Sequence, residues 1–279
     1  MELSQSDINL YYSILNWEED LLRYEQTEFE ALYEKIMVKI INLLPEKYDE
    51  KIFNIIDEFI FQIHATIQNS EYDKEFREDV LKTAIHFNPS IEKISELKKL
   101  PVNTLIYLDN IFSNRLRTMA QIQGGSLGLG RKVLEVSDLP LMLLINLRNV
   151  QQIATVYGND INAPTELMLS LKVFHAATLP KRARKLEWVK LFKEVKTIDE
   201  NLYFFDGDDC LTDITWLQQP LTQIIKLLIV GKIRQVDFPF ISVLAGSYFN
   251  SKLFKQVNDF SRKFYQKRLL LERKSKLDK

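Results

Sequence analysis

All 8 glycines of this 279-residue chain lie at or after position 124, and four of them fall between 124 and 130. The preceding residues are punctuated only by prolines at 45, 89 and 101, and between those stops apolar residues recur at helical spacing. Residues 6–44 align Leu21, Leu22, Phe29, Leu32, Ile36, Ile40 and Leu43 in one stripe. Residues 52–67 repeat it with Ile55, Ile56, Phe59, Ile60 and Ile63, and residues 75–87 predict a third helix. Pro45 and Asn88-Pro89 end two of these, because the residue before a proline is driven out of the α region. A short helix is expected from Ser90, half-capped, since Lys93 stands where a capping box carries glutamate. Pro101 opens the next, which runs to Gln123 with Leu105, Leu108, Ile111, Phe112, Leu116 and Met119 along it.

The glycine cluster then breaks the pattern. Glycine reaches positive φ and lets two backbones approach closely, so the spacing predicts a tight turn or a close helix crossing. Ser137 or Asp138 caps the following helix, with Pro140 in its first turn and Gly158 placed to terminate it. Further helices are expected over 163–177, 181–196, 213–231, 237–250 and 251–274, while 197–212 reads as an insertion or exposed loop. The fold class expected is therefore all-α, a multi-helix bundle with a central glycine-turn helical hairpin and little or no sheet. One domain is expected over 1–279, with an acidic helical part (1–96) and a glycine-turn core with basic C-terminal helices (97–275).

Two blocks resemble a known family. The first reads Gly125, Gly128 and Gly130, then Asp138 and Pro140, then Arg148, Ile153, Ala154, Tyr157 and Gly158. The second, over 232–268, carries Pro239, Gly246, Asn250, Tyr265 and Arg268, with Ser261 where alanine is usual. This pattern resembles the EcsC family over 97–158 and 230–271. That family is named for a protein encoded beside a bacterial ABC transporter. The resemblance implies structural roles for these motif residues and a setting near a transport complex; it implies no reaction.

Charge is unevenly placed. Residues 1–100 hold 21 acidic and 11 basic side chains, whereas 252–279 hold 3 acidic and 10 basic. Two readings follow: the halves complement one another as helix faces, or the basic half meets an anionic partner. A single cysteine, Cys210, excludes an intramolecular disulfide and suits a reducing cytoplasm. No signal peptide is read in the first residues. Asp138 and Arg148, or Lys226, interrupt the longest apolar runs before they reach membrane-spanning length. The expected location is cytoplasmic, peripheral at the inner face of the membrane.

Motifs for chemistry are sparse. Gly125 and Gly130 have phosphate-loop spacing, but Arg131-Lys132 follows where lysine and then a hydroxyl residue are needed. Exposed amides with Arg131 and Lys132 leave anion binding as the weaker alternative to a structural turn. Asp206, Asp208, Asp209 and Asp213 fail calcium-loop spacing, because Cys210 and Leu217 occupy ligand positions. His64, His86 and His175 are scattered, Cys210 sits among carboxylates, and Ser126 lacks a nucleophile elbow. No cofactor, metal or catalytic residue is assigned. The final helix carries the interaction signal: Leu253, Val257, Phe260, Phe264 and Leu271 share a face, with Lys252, Lys255, Arg262, Lys263 and Lys267 around it. Such a helix lies on an anionic membrane or closes a core. A pI near 6.4 and the lack of a reader motif argue against nucleic acid. The leading expectation is a non-catalytic helical protein at the cytoplasmic membrane face, accessory to a transport complex. Its rival is a hydrolase on lipid or peptide, with a site assembled from distant residues such as Asp138, Arg148 and Asn250.

Overall fold

The computed structural model describes residues 4–25, 71–126, 139–179, 181–200 and 247–275, and within them the chain is helical with no strand. The elements are α1 (Gln5–Leu22), α2 (Glu71–Ile85), a 3₁₀ helix (Ile94–Lys99), α3 (Val102–Ser126), α4 (Leu139–Val156), α5 (Pro164–Thr178), α6 (Lys181–Glu200) and α7 (Ser247–Ser275). Around α4 are laid α2, the 3₁₀ helix, α3, α5 and α7, and α7 also packs on α1, α3 and α5. α4 is buried nearly all round: from Leu143 to Val156 only Ile145 and Arg148 are half-buried, and its buried side chains include Asn146, Asn149, Gln151 and Gln152. Leu143, Leu147, Val150, Ile153 and Ala154 are each buried in one cluster that extends from Leu21 to Leu269.

Local chemistry explains most boundaries. Ser4 and Asp7 form a reciprocal capping box at the start of α1, satisfying two backbone donors that the helix leaves unpaired. Pro101 immediately precedes α3 and its carbonyl accepts from Thr104 and Leu105. Pro164 occupies the first turn of α5, where a missing N–H costs nothing.

Four expectations are corrected. First, α1 stops at Leu22 and residues 23–25 are not helical, where the apolar pattern predicts helix. The Tyr24 ring there faces the Lys181 ammonium at 5.1 Å, a tertiary contact that local periodicity does not encode. The helix expected over 26–44 and that over 52–67 lie outside the described residues. Second, no helix begins at Ser90. The Asn88 side-chain oxygen Oδ1 accepts from both the N–H and the hydroxyl of Ser90, making a turn, and the chain resumes as the 3₁₀ helix at Ile94. The Glu96 carboxylate accepts from the N–H groups of Glu92 and Lys93. The Lys99 ammonium first, and then these donors, hold its carboxyl down at about 2. Third, α3 continues through Gly124 and Gly125 to Ser126, so the first two clustered glycines are helical. The rest of the glycine turn, with Gly128, Gly130, Arg131, Lys132 and Asp138, lies outside the described residues. Fourth, no break separates residue 250 from 251: Ser247–Ser275 is one helix, as its lack of interior glycine or proline permits. The expected loop at 197–212 and the helices at 213–231 and 237–250 fall outside the described residues, apart from 197–200, which extend α6, and 247–250, which open α7.

Candidate functional site

Asp109 lies on the inner face of α3, where Leu105, Phe112 and Leu116 complete an apolar stripe, and it is 2% exposed. A carboxylate there is costly unless its oxygens are occupied. Three helices occupy them. Ser113, one turn on, donates its hydroxyl to Oδ1 at 2.9 Å. Arg262 of α7 places Nε 2.8 Å from Oδ2. The Tyr157 hydroxyl, at the end of α4, donates to Oδ2 over a longer 3.4 Å and accepts from Gln266 Nε2 of α7 at 2.8 Å.

Titration behaviour follows from this geometry. Burial pushes the Asp109 carboxyl up, opposed by the Arg262 guanidinium and by the Ser113 and Tyr157 hydroxyls. Burial, then the Asp109 charge, drives the Tyr157 phenol well above its ordinary value, so it remains a donor. The cluster is closed: a reactant reaching Asp109 must displace Arg262, which holds its outer side.

Gly158 fixes where α4 ends. Its φ of +80° lies in the left-handed region, with the Gly158 N–H bonded to Thr155 O and the Asn159 N–H to Ala154 O. This is the 6→1 and 5→2 pairing of a Schellman cap. A Cβ at Gly158 would lie 2.5 Å from Lys98 Cγ and 3.2 Å from Lys98 N. The close approach lets the 3₁₀ helix seat against the end of α4 and sets Tyr157 at Asp109.

Three more polar joints run along α7. Arg268 donates to both oxygens of Glu166, in the first turn of α5, at 2.7 and 2.6 Å, and has Glu272 beside it. Arg273 donates to Asp7 of α1 and to the carbonyls of Lys98 and Leu100. Lys267 bonds Glu18 of α1, whose other oxygen accepts from Trp188 Nε1 of α6 at 3.0 Å. The Lys267 ammonium also stands 4.7 Å from the Phe192 ring centroid.

The structure thus brings Tyr157, Gly158, Arg262, Lys267 and Arg268 into one framework around α7. It turns Arg262 and Lys267 inward, where a carboxylate holds each, and half-buries Lys263 within 3.3 Å of Ser13 Oγ. Arg262 and Lys267 thus pair with carboxylates of α3 and α1, and Lys263 with a hydroxyl of α1. Lys255 is exposed. Tyr265 is buried against Phe264, and Arg148 is half-buried on α4. Gly125 and Pro140 lie within α3 and α4. Pro239 and Gly246 lie outside the described residues, as do the side chains of Asn250 and Lys252. Sequence reasoning missed Asp109, Ser113, Glu166, Gln266 and Glu18. Only Asp109 carried a signal, a charge inside an apolar stripe at helical spacing. Among the described residues no three metal-ligating side chains converge, and no helix is long and apolar enough to cross a membrane.

A family model described as the EcsC protein family matches residues 9–270. Protein EcsC of Bacillus subtilis (strain 168) is 23% identical over 267 residues, covering 94% of this chain and 96% of that protein. No solved structure matches.

Proposed function

The chain belongs to the EcsC protein family, and from that premise we propose that it is a non-catalytic helical protein working at the cytoplasmic face of the membrane, accessory to a transport complex. The observation that carries the non-catalytic part is the closure of the Asp109 cluster. Its oxygens are engaged by Ser113, Arg262 and Tyr157, and Tyr157 is engaged in turn by Gln266. Groups satisfied by one another fix how helices meet; they do not present a nucleophile or acid to a substrate. The link to a transporter rests on the family resemblance. Cross-linking in native membranes followed by affinity recovery of the chain tests it. Recovery with membrane transport subunits is the expected result, and recovery from the soluble fraction alone would sink the reading.

The hydrolase alternative draws on one observation: the raised Asp109 carboxyl lies behind a guanidinium whose side chain is 24% exposed. It requires Asp109→Asn to abolish a turnover measured on lipid esters or peptides while the helical signal is kept.

A further inference from the structure

We infer that the outward face of α6 is the surface by which this protein lies on an anionic membrane. This rests on the membrane-face reading proposed above. The inner face of α6 is committed to the core through Trp188, Leu191 and Val195. On the opposite side stand Leu186, 62% exposed, and Val189, 42% exposed. Residues four apart on a helix are neighbours, which arranges this side in two parallel rows. One runs Arg182, Leu186, Lys190 and the other Lys185, Val189, Lys193. Each exposed apolar side chain therefore has a basic position one turn before it and one turn after it.

Of Glu187 and Glu194, the second continues the first row one turn beyond Lys190 and the first lies beside that row, so the acids gather at one edge of the strip. Glu187 and Glu194 are seven residues apart and share a flank, where Glu187 bonds Lys190 and Glu194 bonds Lys172 of α5. Lysine stems lie along apolar surface while the ammonium groups reach outward to phosphates. A short apolar strip rimmed by cations fits the boundary between headgroups and acyl chains, and the inner leaflet is anionic. A protein partner would need a complementary acidic surface around a pocket for two aliphatic side chains. A lipid surface needs no such match, and the charge pattern favours it.

The contrast with α7 sharpens the assignment. α7 is the more obviously basic and amphipathic helix in sequence, yet its Arg262, Lys267, Arg268 and Arg273 are bound to Asp109, Glu18, Glu166 and Asp7. On α6, Lys190 is 63% exposed and its bond to Glu187 stays within its own helix at the surface.

Flotation at low salt with vesicles of phosphatidylcholine alone, or mixed with phosphatidylglycerol, tests the inference on the full chain. The wild-type chain should float with the mixed vesicles only. Leu186→Ser with Val189→Ser should weaken that partition at least tenfold, with an unchanged far-ultraviolet circular dichroism spectrum, because neither side chain contributes to the core. Lys255→Gln on α7 should leave it unchanged. If the wild-type chain does not float with mixed vesicles, the membrane reading falls and this inference falls with it. If it floats and the α6 double variant floats equally well, the membrane reading stands and the α6 face is overturned. A wild-type dimer in solution that the double variant renders monomeric would assign the face to a second copy, and would likewise overturn the inference.

Discussion

Arg268 meets Glu166 edge to edge, with two hydrogen bonds of 2.7 and 2.6 Å that join α7 to the first turn of α5. The fork geometry matters because a lysine ammonium cannot reach both oxygens in plane. Arg268→Lys is expected to lower the unfolding free energy by about 1–2 kcal/mol, in line with loss of a charge-assisted hydrogen bond. Arg268→Ala, which strands Glu166, should cost about 3–5 kcal/mol. Urea titrations of the three chains check the order; equal midpoints for Arg268→Lys and the wild type would show that the second bond contributes nothing.

Gly158 gives the next expectation. Alanine there meets a positive φ and a side-chain carbon of Lys98 at 2.5 Å. Gly158→Ala should therefore destabilise by about 2–3 kcal/mol, left-handed strain and overpacking together. Adding Lys98→Ala should recover part of the loss, because it removes the clashing methylene and leaves the backbone strain. A double-mutant cycle with no coupling between the two positions would refute the close contact.

Tyr157→Phe removes a donor from Asp109 and leaves Gln266 Nε2 without its acceptor. The expected loss is about 1–2 kcal/mol, read from the thermal midpoint. Asp109→Ala should cost more, about 3–5 kcal/mol, since it leaves the Arg262 charge without its buried partner. A Tyr157→Phe chain as stable as the wild type would mean that the hydroxyl is not bonded.

His175 supplies a pH dependence. Burial lowers its pKa below the ordinary 6.5, with Glu187 opposing and Lys190 assisting. Between the folded and unfolded values the unfolded chain binds the proton more readily. Stability from this group is thus complete above about pH 6.5 and declines as pH falls below it. Urea midpoints at pH 7.5 and 5.5 should separate less for His175→Gln than for the wild type. An equal separation in both chains would remove His175 from the account.

Much of the fold was legible because helices announce themselves locally. Pro101 and Pro164 mark starts, Gly158 marks an end, and the apolar spacing along α3 and α4 marks buried faces. What stayed hidden depends on contacts across long stretches of chain. Nothing near Leu22 predicts that α1 stops there. The Asn88–Ser90 turn competes with a helix start through a side-chain bond that periodicity cannot show. The charged pairs were hidden for the same reason: Asp109 was visible as an anomaly, yet its partner Arg262 looked like an ordinary solvated cation on a basic helix. Charge counts along the chain foresaw that acidic and basic halves could complement each other, and Glu18–Lys267 and Asp7–Arg273 are such complements. They could not say which cations would be consumed.

The placement of α7 has a consequence for how the chain comes to be folded at all. Asp7, Glu18, Asp109 and Glu166 are all translated before the helix that neutralises them, and the partners are separated by as many as 266 residues. As the polypeptide leaves the ribosome, these carboxylates and the apolar flank of α4 have no α7 to bury them. Contacts so distant in sequence close slowly, and surface exposed in the meantime invites aggregation. The nascent protein must therefore wait for its last described helix before its interior can seal, which makes the interval after translation its period of greatest exposure to chaperones and proteases.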